Sequence, residues 1–288
     1  MIRVPALLTL VVAVLLPQQV QAEDVQITPD VVYGHKFGLA LTFDVFTPAT
    51  DANGAGVLFM VSGGWYSGWA PPEQAASRFK PLTDAGFTVF AVRHGSSPKF
   101  GIPEAVSDVR RSVRYIRLNA EQFGIDPQRI GVYGGSAGGH LSLVLGTASD
   151  DGDPKAKDPV LRVSDRVNAV VAYVAPTDLQ IMVHAAPNHL PAYDRYPALN
   201  LSLAEAKTYS PLEHVSSDDP PTLLVVGQKD DLVPYEHSKN IHAAFEKQNV
   251  TSELIVFEDA GHGFQGEDAE RASMELVKWF QQSLAGKS

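Results

Sequence analysis

Short apolar runs recur along the chain with longer, mixed segments between them: 56–61 (GVLFMV), 87–92 (FTVFAV), 130–133 (IGVY), 167–174 (VNAVVAYV), 222–226 (TLLVV) and 253–257 (ELIVF). Runs this short, continuous and rich in Val and Ile predict strands covered on both faces, as in a parallel sheet. Two further runs, 31–35 and 41–46, predict a leading hairpin. In 103–122, Val106, Val109, Val113 and Ile116 recur at helical spacing and predict an amphipathic helix. Arg110, Arg111, Arg114 and Arg117 fall off that stripe and read as a solvated face. A last helix, 267–284, is expected to bury Met274, Val277 and Phe280. The pattern shows no repeat and no interdomain linker, so it predicts one α/β domain, a mostly parallel central sheet flanked by helices in three layers. Periodicity fails over 176–215, where prolines stand at 176, 187, 191, 197 and 211; an irregular stretch of this length predicts a small cap.

Composition narrows the class. A 288-residue chain that is 44% apolar and 19% charged is globular. Its formal charge of −10, with no basic run, argues against nucleic acid or anionic membrane as a partner and favours a small molecule. The first residues, MIRVPALLTLVVAVLLPQQVQA, combine an early Arg3, an apolar block over 6–16 and small residues at Val20 and Ala22. That layout predicts a signal peptide over 1–22, a mature domain over 23–288, and export to a periplasm or the medium, with no stable membrane insertion afterwards; a retained anchor is the alternative. The chain has no cysteine, which excludes disulfides, thiol catalysis and Cys metal sites. Oligomeric state is not legible.

Within GGSAGG, residues 134–139, the glycines alone are compatible with a plain turn. The serine is not explained by a turn, and the setting is strand before and helix after. Gly134-Gly135-Ser136-Ala137-Gly138 fits the G-x-S-x-G elbow, in which small neighbours let strand and helix approach while the hydroxyl is held up at the turn. A serine hydroxyl needs a base and an orienting acid to act as a nucleophile. Asp230 follows the 222–226 run and His262 follows 253–257, both at strand ends where ligand sites collect in open α/β sheets. Asp231 is the alternative acid; the position nearer the strand favours Asp230. Among nine histidines, His140 reads as a packing residue, and His184 and His189 as residues of the cap that could touch substrate. His237 and His242 are poorly spaced for a shared metal, so no metal site is expected.

Acyl transfer also needs backbone donors for a developing oxyanion. Ala137, after the nucleophile, and Gly63 and Gly64 in VSGGWYSGW (61–69) are the candidates. Trp65, Tyr66 and Trp69 in the same loop are expected to line the substrate pocket.

The stretches SGGWYSG, GGSAGGHL, SPLEHVSSDDPPTLLVVGQKDDLVPYEHS and GHGF span most of the mature chain. In them the sequence resembles the α/β-hydrolases of the esterase/lipase group, which includes hormone-sensitive-lipase-like and feruloyl or acetyl-xylan esterase-like enzymes. The resemblance implies the α/β-hydrolase fold, Ser136 as nucleophile, Asp230 as the Asp of a D-x-x-V-P stretch, and His262 as base. One departure stands out: the family usually reads H-G-G-G-W where this chain has Val61-Ser62-Gly63-Gly64-Trp65. The loop therefore lacks its usual histidine and first glycine; its donors, being backbone N–H groups, are expected to survive, and how the loop is buttressed is left open.

These readings converge on a serine ester hydrolase working without cofactor on a short-chain or carbohydrate-linked ester. A serine peptidase of the prolyl-oligopeptidase type shares the catalytic domain but normally adds a large propeller, for which these residues leave no room. A binding protein that kept the fold without the chemistry is the third class, and the presence of all three candidate side chains argues against it.

Overall fold

The computed structural model describes residues 25–286 and builds them around one eight-stranded sheet. The expected leader, 1–22, lies outside the described residues. The strands are β1 (Val25–Lys36), β2 (Leu39–Pro48), β3 (Gly56–Met60), β4 (Thr88–Val92), β5 (Ile130–Gly135), β6 (Ala169–Tyr173), β7 (Thr222–Gly227) and β8 (Ser252–Phe257). Their order is β1-β2-β4-β3-β5-β6-β7-β8. β1 and β2 form an antiparallel hairpin, β2 joins β4 antiparallel, and every other pairing is parallel. All residues of β4 and β7 are buried, which is why those runs carry no polar alternation. This is the α/β-hydrolase arrangement that the resemblance implied.

The described residues form six α-helices, α1 (Ala76–Asp84), α2 (Ile102–Leu118), α3 (Ala137–Thr147), α4 (Leu203–Thr208), α5 (Glu236–Lys247) and α6 (Gly266–Ser283), and all but the short α4 cover the two faces of the sheet. One apolar cluster packs Val109, Val113 and Ile116 of α2, Leu141 and Leu145 of α3, and Ile241 and Phe245 of α5 onto one face of the sheet. The other packs Phe79 and Leu82 of α1 and Leu276, Trp279 and Phe280 of α6 onto the opposite face. All the parallel strands therefore deliver their C-terminal ends to one edge, where the loops that follow them meet.

Two side-chain expectations are corrected. The α2 arginines are not a solvated face. Arg110 and Arg114 pair with Asp150 and Asp165, Arg111 pairs with Asp158, and Arg117 donates to the carbonyls of Ser164 and Arg166. They clamp the 148–166 loop, whose aspartates are too distant in sequence for a local pattern to match them. On α6 the buried side chains are Ala272, Leu276, Trp279 and Phe280, while Met274 is 64% exposed. The 272/276/279/280 stripe follows the helical period, and Met274 stands off it.

The 176–215 segment is a series of short 3-10 turns, Leu179–Ile181, Pro191–Arg195, Pro197–Leu199 and Pro211–His214, with the six-residue α4 among them. Three of those turns begin at a proline, whose fixed φ suits a first turn and whose missing N–H stops a helix from running in from upstream. Leu179, Val183, Leu199 and Ala206 are fully buried in the cluster that holds α3, so the segment is anchored in the core. Its Tyr196 ring abuts the loop after β3, since a Cβ on Gly64 would stand 2.6 Å from it.

Candidate active site

Ser136 sits between the end of β5 and the start of α3 with φ 53° and ψ −121°, a conformation that costs a non-glycine residue about 1–3 kcal/mol. The surroundings hold it there. Its N–H donates to the Tyr173 carbonyl of β6 at 2.8 Å, and its own carbonyl accepts from the His140 N–H at 2.9 Å. The helix can follow so closely only because the neighbours lack side chains. A Cβ on Gly134 would stand 2.4 Å from the Gly138 carbonyl carbon, and one on Gly138 would stand 2.7 Å from the Met60 carbonyl oxygen.

The three side chains singled out in sequence meet at the strand ends. His262 Nε2 lies 2.9 Å from Ser136 Oγ, and His262 Nδ1 lies 2.7 Å from Asp230 Oδ2. The other carboxylate oxygen of Asp230 accepts the N–H groups of Leu232 at 3.0 Å and Val233 at 2.8 Å. The Asp230 side chain is 0% exposed, whereas Asp231 points to solvent. A carboxylate can only accept, so the proton of neutral His262 resides on Nδ1 and the Nε2 lone pair faces the serine hydroxyl. The loops are tied together by the Lys229 N–H donating to the Ala260 carbonyl at 2.9 Å.

Of the expected oxyanion donors, Ala137 is the first residue of α3, so its N–H has no intrahelical partner. The Gly64 N–H has no backbone partner among the described residues, and Gly64 and Trp65 hold φ of 56° and 61°. Gly63 is corrected. Its N–H donates to the Tyr66 carbonyl at 3.0 Å and its carbonyl accepts from the Tyr66 N–H at 3.0 Å, so Gly63 closes the turn instead of pointing a donor at Ser136.

The support that the loop lost with its usual histidine comes from the end of β4. His94, buried, has Nδ1 2.9 Å from the Gly95 carbonyl and Nε2 2.9 Å from Ser62 Oγ. The carbonyl accepts, so Nδ1 carries the proton and Nε2 accepts from the Ser62 hydroxyl. Burial holds the His94 pKa below its usual value. Ser67 completes the brace, donating to the Val61 carbonyl at 2.6 Å and accepting the His94 N–H at 3.1 Å. Sequence reasoning missed His94; the available signal was a histidine just past a buried parallel strand.

The aromatic expectations are partly overturned. Trp65 is 3% exposed, and its indole N–H donates to His140 Nδ1 at 3.3 Å, so it is a core residue and not a pocket wall. Tyr66 and Trp69 are exposed but do not line the cavity at the serine. That cavity, about 810 Å³, lies between α1 and α6 and is bordered by Ser62 of the 61–69 loop. Phe59, Tyr133, Tyr173, Phe264 and Leu276 form its apolar walls, and Ser136 and His262 border it. The cap histidines are engaged elsewhere: His184 bonds the Tyr193 carbonyl and His189 bonds Asp194.

Two buried histidines outside this site bear on stability. His140 Nε2 donates to the Tyr209 carbonyl at 2.8 Å, and His237 Nδ1 accepts the N–H groups of Thr177 and Asp178 at 3.2 and 3.3 Å. Burial lowers each pKa to about 4 from the usual 6.5. Because the folded pKa lies below the unfolded one, the contribution is complete above pH 6.5 and is lost as pH falls toward 4. The loss is on the order of 3 kcal/mol for each histidine. Urea unfolding followed from pH 8 to pH 4 should show stability falling steeply below about pH 6; a flat profile down to pH 4.5 would contradict the neutral, buried assignment.

A family model described as BD-FAE matches residues 43–245. A probable carboxylic ester hydrolase, LipM, from Mycobacterium tuberculosis is 31% identical over 236 residues, which are 79% of this chain and 53% of the relative. The chain spans about half the length of the curated relatives it matches. Among solved structures, the acetyl ester-xyloside bifunctional hydrolase from Caldicellulosiruptor lactoaceticus is 27% identical with a TM-score of 0.73, covering 85% of this chain and 88% of that one. A truncated carbohydrate esterase from gut microbiota is 26% identical with a TM-score of 0.75, covering 92% and 99%.

Proposed function

The chain belongs to the BD-FAE family, and from that premise we propose that it is a serine carboxylic-ester hydrolase acting through an acyl-enzyme on short-chain or carbohydrate-linked esters. The observation that carries this reading is the unbroken chain of hydrogen bonds from Ser136 through His262 to Asp230. Ser136 Oγ attacks the ester carbonyl carbon while His262 Nε2 takes its proton. The tetrahedral oxyanion is held by the N–H groups of Gly64 and Ala137. Collapse expels the alcohol, which leaves with the proton from His262. A water, deprotonated by the same nitrogen, then attacks the acyl-enzyme and releases the acid. Asp230 keeps the imidazole oriented and offsets its charge while it is protonated. The cycle uses no metal or cofactor.

Chain-length preference follows from the cavity. Its aromatic floor, where the Phe59 and Tyr133 rings lie 5.0 Å apart, suits a short acyl group. A longer one would run past Ser77, Arg78 and Ser273, which would lose water without gaining a partner. Each buried methylene returns about 0.8 kcal/mol only where apolar wall continues. The names of the structural neighbours support acetylated carbohydrate as one substrate class. Across 4-nitrophenyl esters from acetyl to decanoyl, kcat/KM is expected to peak between acetyl and butyryl and to fall steeply by octanoyl. A maximum at decanoyl would overturn the short-chain reading.

A further inference from the structure

The cavity beside Ser136 is bordered by no aspartate or glutamate, and Arg78 of α1 brings the one permanent charge among its lining residues. The Arg78 guanidinium carbon lies 5.4 Å from the centre of the Phe59 ring on the cavity floor. Among the described residues no hydrogen bond or ion pair engages it. The α2 arginines, by contrast, are tied to aspartates or carbonyls, as is Arg93 to Asp44 and Asp30. Arg195 and Arg271 also rest on rings, but neither borders the cavity. Arg78 is thus a guanidinium laid on an apolar floor, in the same cavity as the serine, with its donors available.

We propose that Arg78 binds a carboxylate on the substrate's acyl group, so that the cavity between α1 and α6 takes half-esters of dicarboxylic acids. The inference rests on the acyl-enzyme reading above and names the acyl class it would favour. A guanidinium matches a carboxylate with two parallel N–H···O bonds, and one carboxylate needs no second cation. The protein carries a formal net charge of −10, so an anionic acyl group gains little from the overall field and needs a local cation. The span is short. Phe59 pairs in register with Tyr133, which stands three residues, roughly 10 Å of strand, before Ser136. The guanidinium already stands over Phe59, so what is taken off that span is the length of its N–H···O contact with the carboxylate, and a few methylenes separate the ester carbonyl from the carboxylate it would hold. Adipate, with four methylenes between its carboxyls, fits that span. An anionic end also answers the polar groups that a plain octanoyl chain would leave dry.

The test compares the 4-nitrophenyl half-ester of adipic acid with 4-nitrophenyl hexanoate, an uncharged substrate of the same acyl length, each corrected for spontaneous hydrolysis. The expected result is that Arg78→Gln lowers the ratio of their kcat/KM values about tenfold. Arg78→Lys should restore part of the preference, and rising salt should erode it in the native protein. A binding arm is independent of turnover: monomethyl adipate is titrated calorimetrically onto the Ser136→Ala protein and onto the same protein carrying Arg78→Gln, with an expected tenfold weaker affinity in the second. An unchanged kinetic ratio, or equal or undetectable binding in both proteins, would overturn the proposal. If the native protein hydrolyses neither ester, the esterase reading fails, and the calorimetric arm still decides whether Arg78 holds the carboxylate.

Discussion

Replacing Ser136 by alanine is expected to lower kcat/KM for 4-nitrophenyl acetate by roughly 10³ or more while leaving the fold intact. Among the described residues its hydroxyl bonds only to His262, at 2.9 Å, so removing it opens no buried network there. Alanine at this position keeps the same strained backbone, and the 2.8 Å bond from the Ser136 N–H to Tyr173 does not depend on the side chain. His262→Ala should cost about as much, because a serine hydroxyl without its base is a poor nucleophile. The double variant should be scarcely worse than either single one, since the two groups act as a unit. Circular dichroism and thermal unfolding check the fold, and steady-state kinetics check the activity. Substantial turnover in a folded Ser136→Ala protein would sink the acyl-enzyme mechanism.

Asp230→Asn is expected to lower kcat by roughly 10² to 10⁴, whereas Asp231→Asn should stay within a few-fold of the native protein. Among the described residues, two of the three bonds made by the Asp230 carboxylate are to the N–H groups of Leu232 and Val233, and the amide oxygen of asparagine can accept both. The loop is therefore expected to keep its shape, with the asparagine NH₂ turned toward His262 Nδ1, 2.7 Å away from the present carboxylate oxygen. An NH₂ group donates, so Nδ1 must become the acceptor and the ring proton moves to Nε2. The base then presents a proton, not a lone pair, to Ser136. Asp231 is exposed, and among the described residues no hydrogen bond ties its carboxylate to these groups. A pH profile distinguishes this tautomer effect from simple loss of structure: the Asp230→Asn activity should recover partially at high pH, where hydroxide replaces the missing base. Equal losses in both variants, or the reverse order, would displace Asp230 from the mechanism.

What the sequence determined by itself was the set of elements and the three side chains, Ser136, Asp230 and His262, that the structure brings into hydrogen-bond contact. Strand burial is a local pattern, so the runs at 87–92 and 222–226 reveal covered parallel strands without any knowledge of their partners. The elbow is local too: Gly134 and Gly138 are needed because strand and helix are adjacent in sequence as well as in space. The choice of Asp230 over Asp231 was legible from its place at the strand end, and the structure turns only that carboxylate inward to His262. Tertiary structure alone decided which groups remain available. The Gly63 N–H is consumed by Tyr66 and Trp65 is buried against His140, so one expected donor and one expected pocket wall become structural. His94 braces Ser62 across 32 positions of sequence, and the α2 arginines find aspartates 36 to 55 residues away. The cavity itself lies between α1 and α6 and is lined by neither Tyr66 nor Trp69. The physical reason is the range of each effect. Burial and backbone conformation act over a few residues and leave a periodic trace, whereas a hydrogen-bond partner or a cavity wall is assigned by whichever distant segment packs alongside, and no periodicity records that choice.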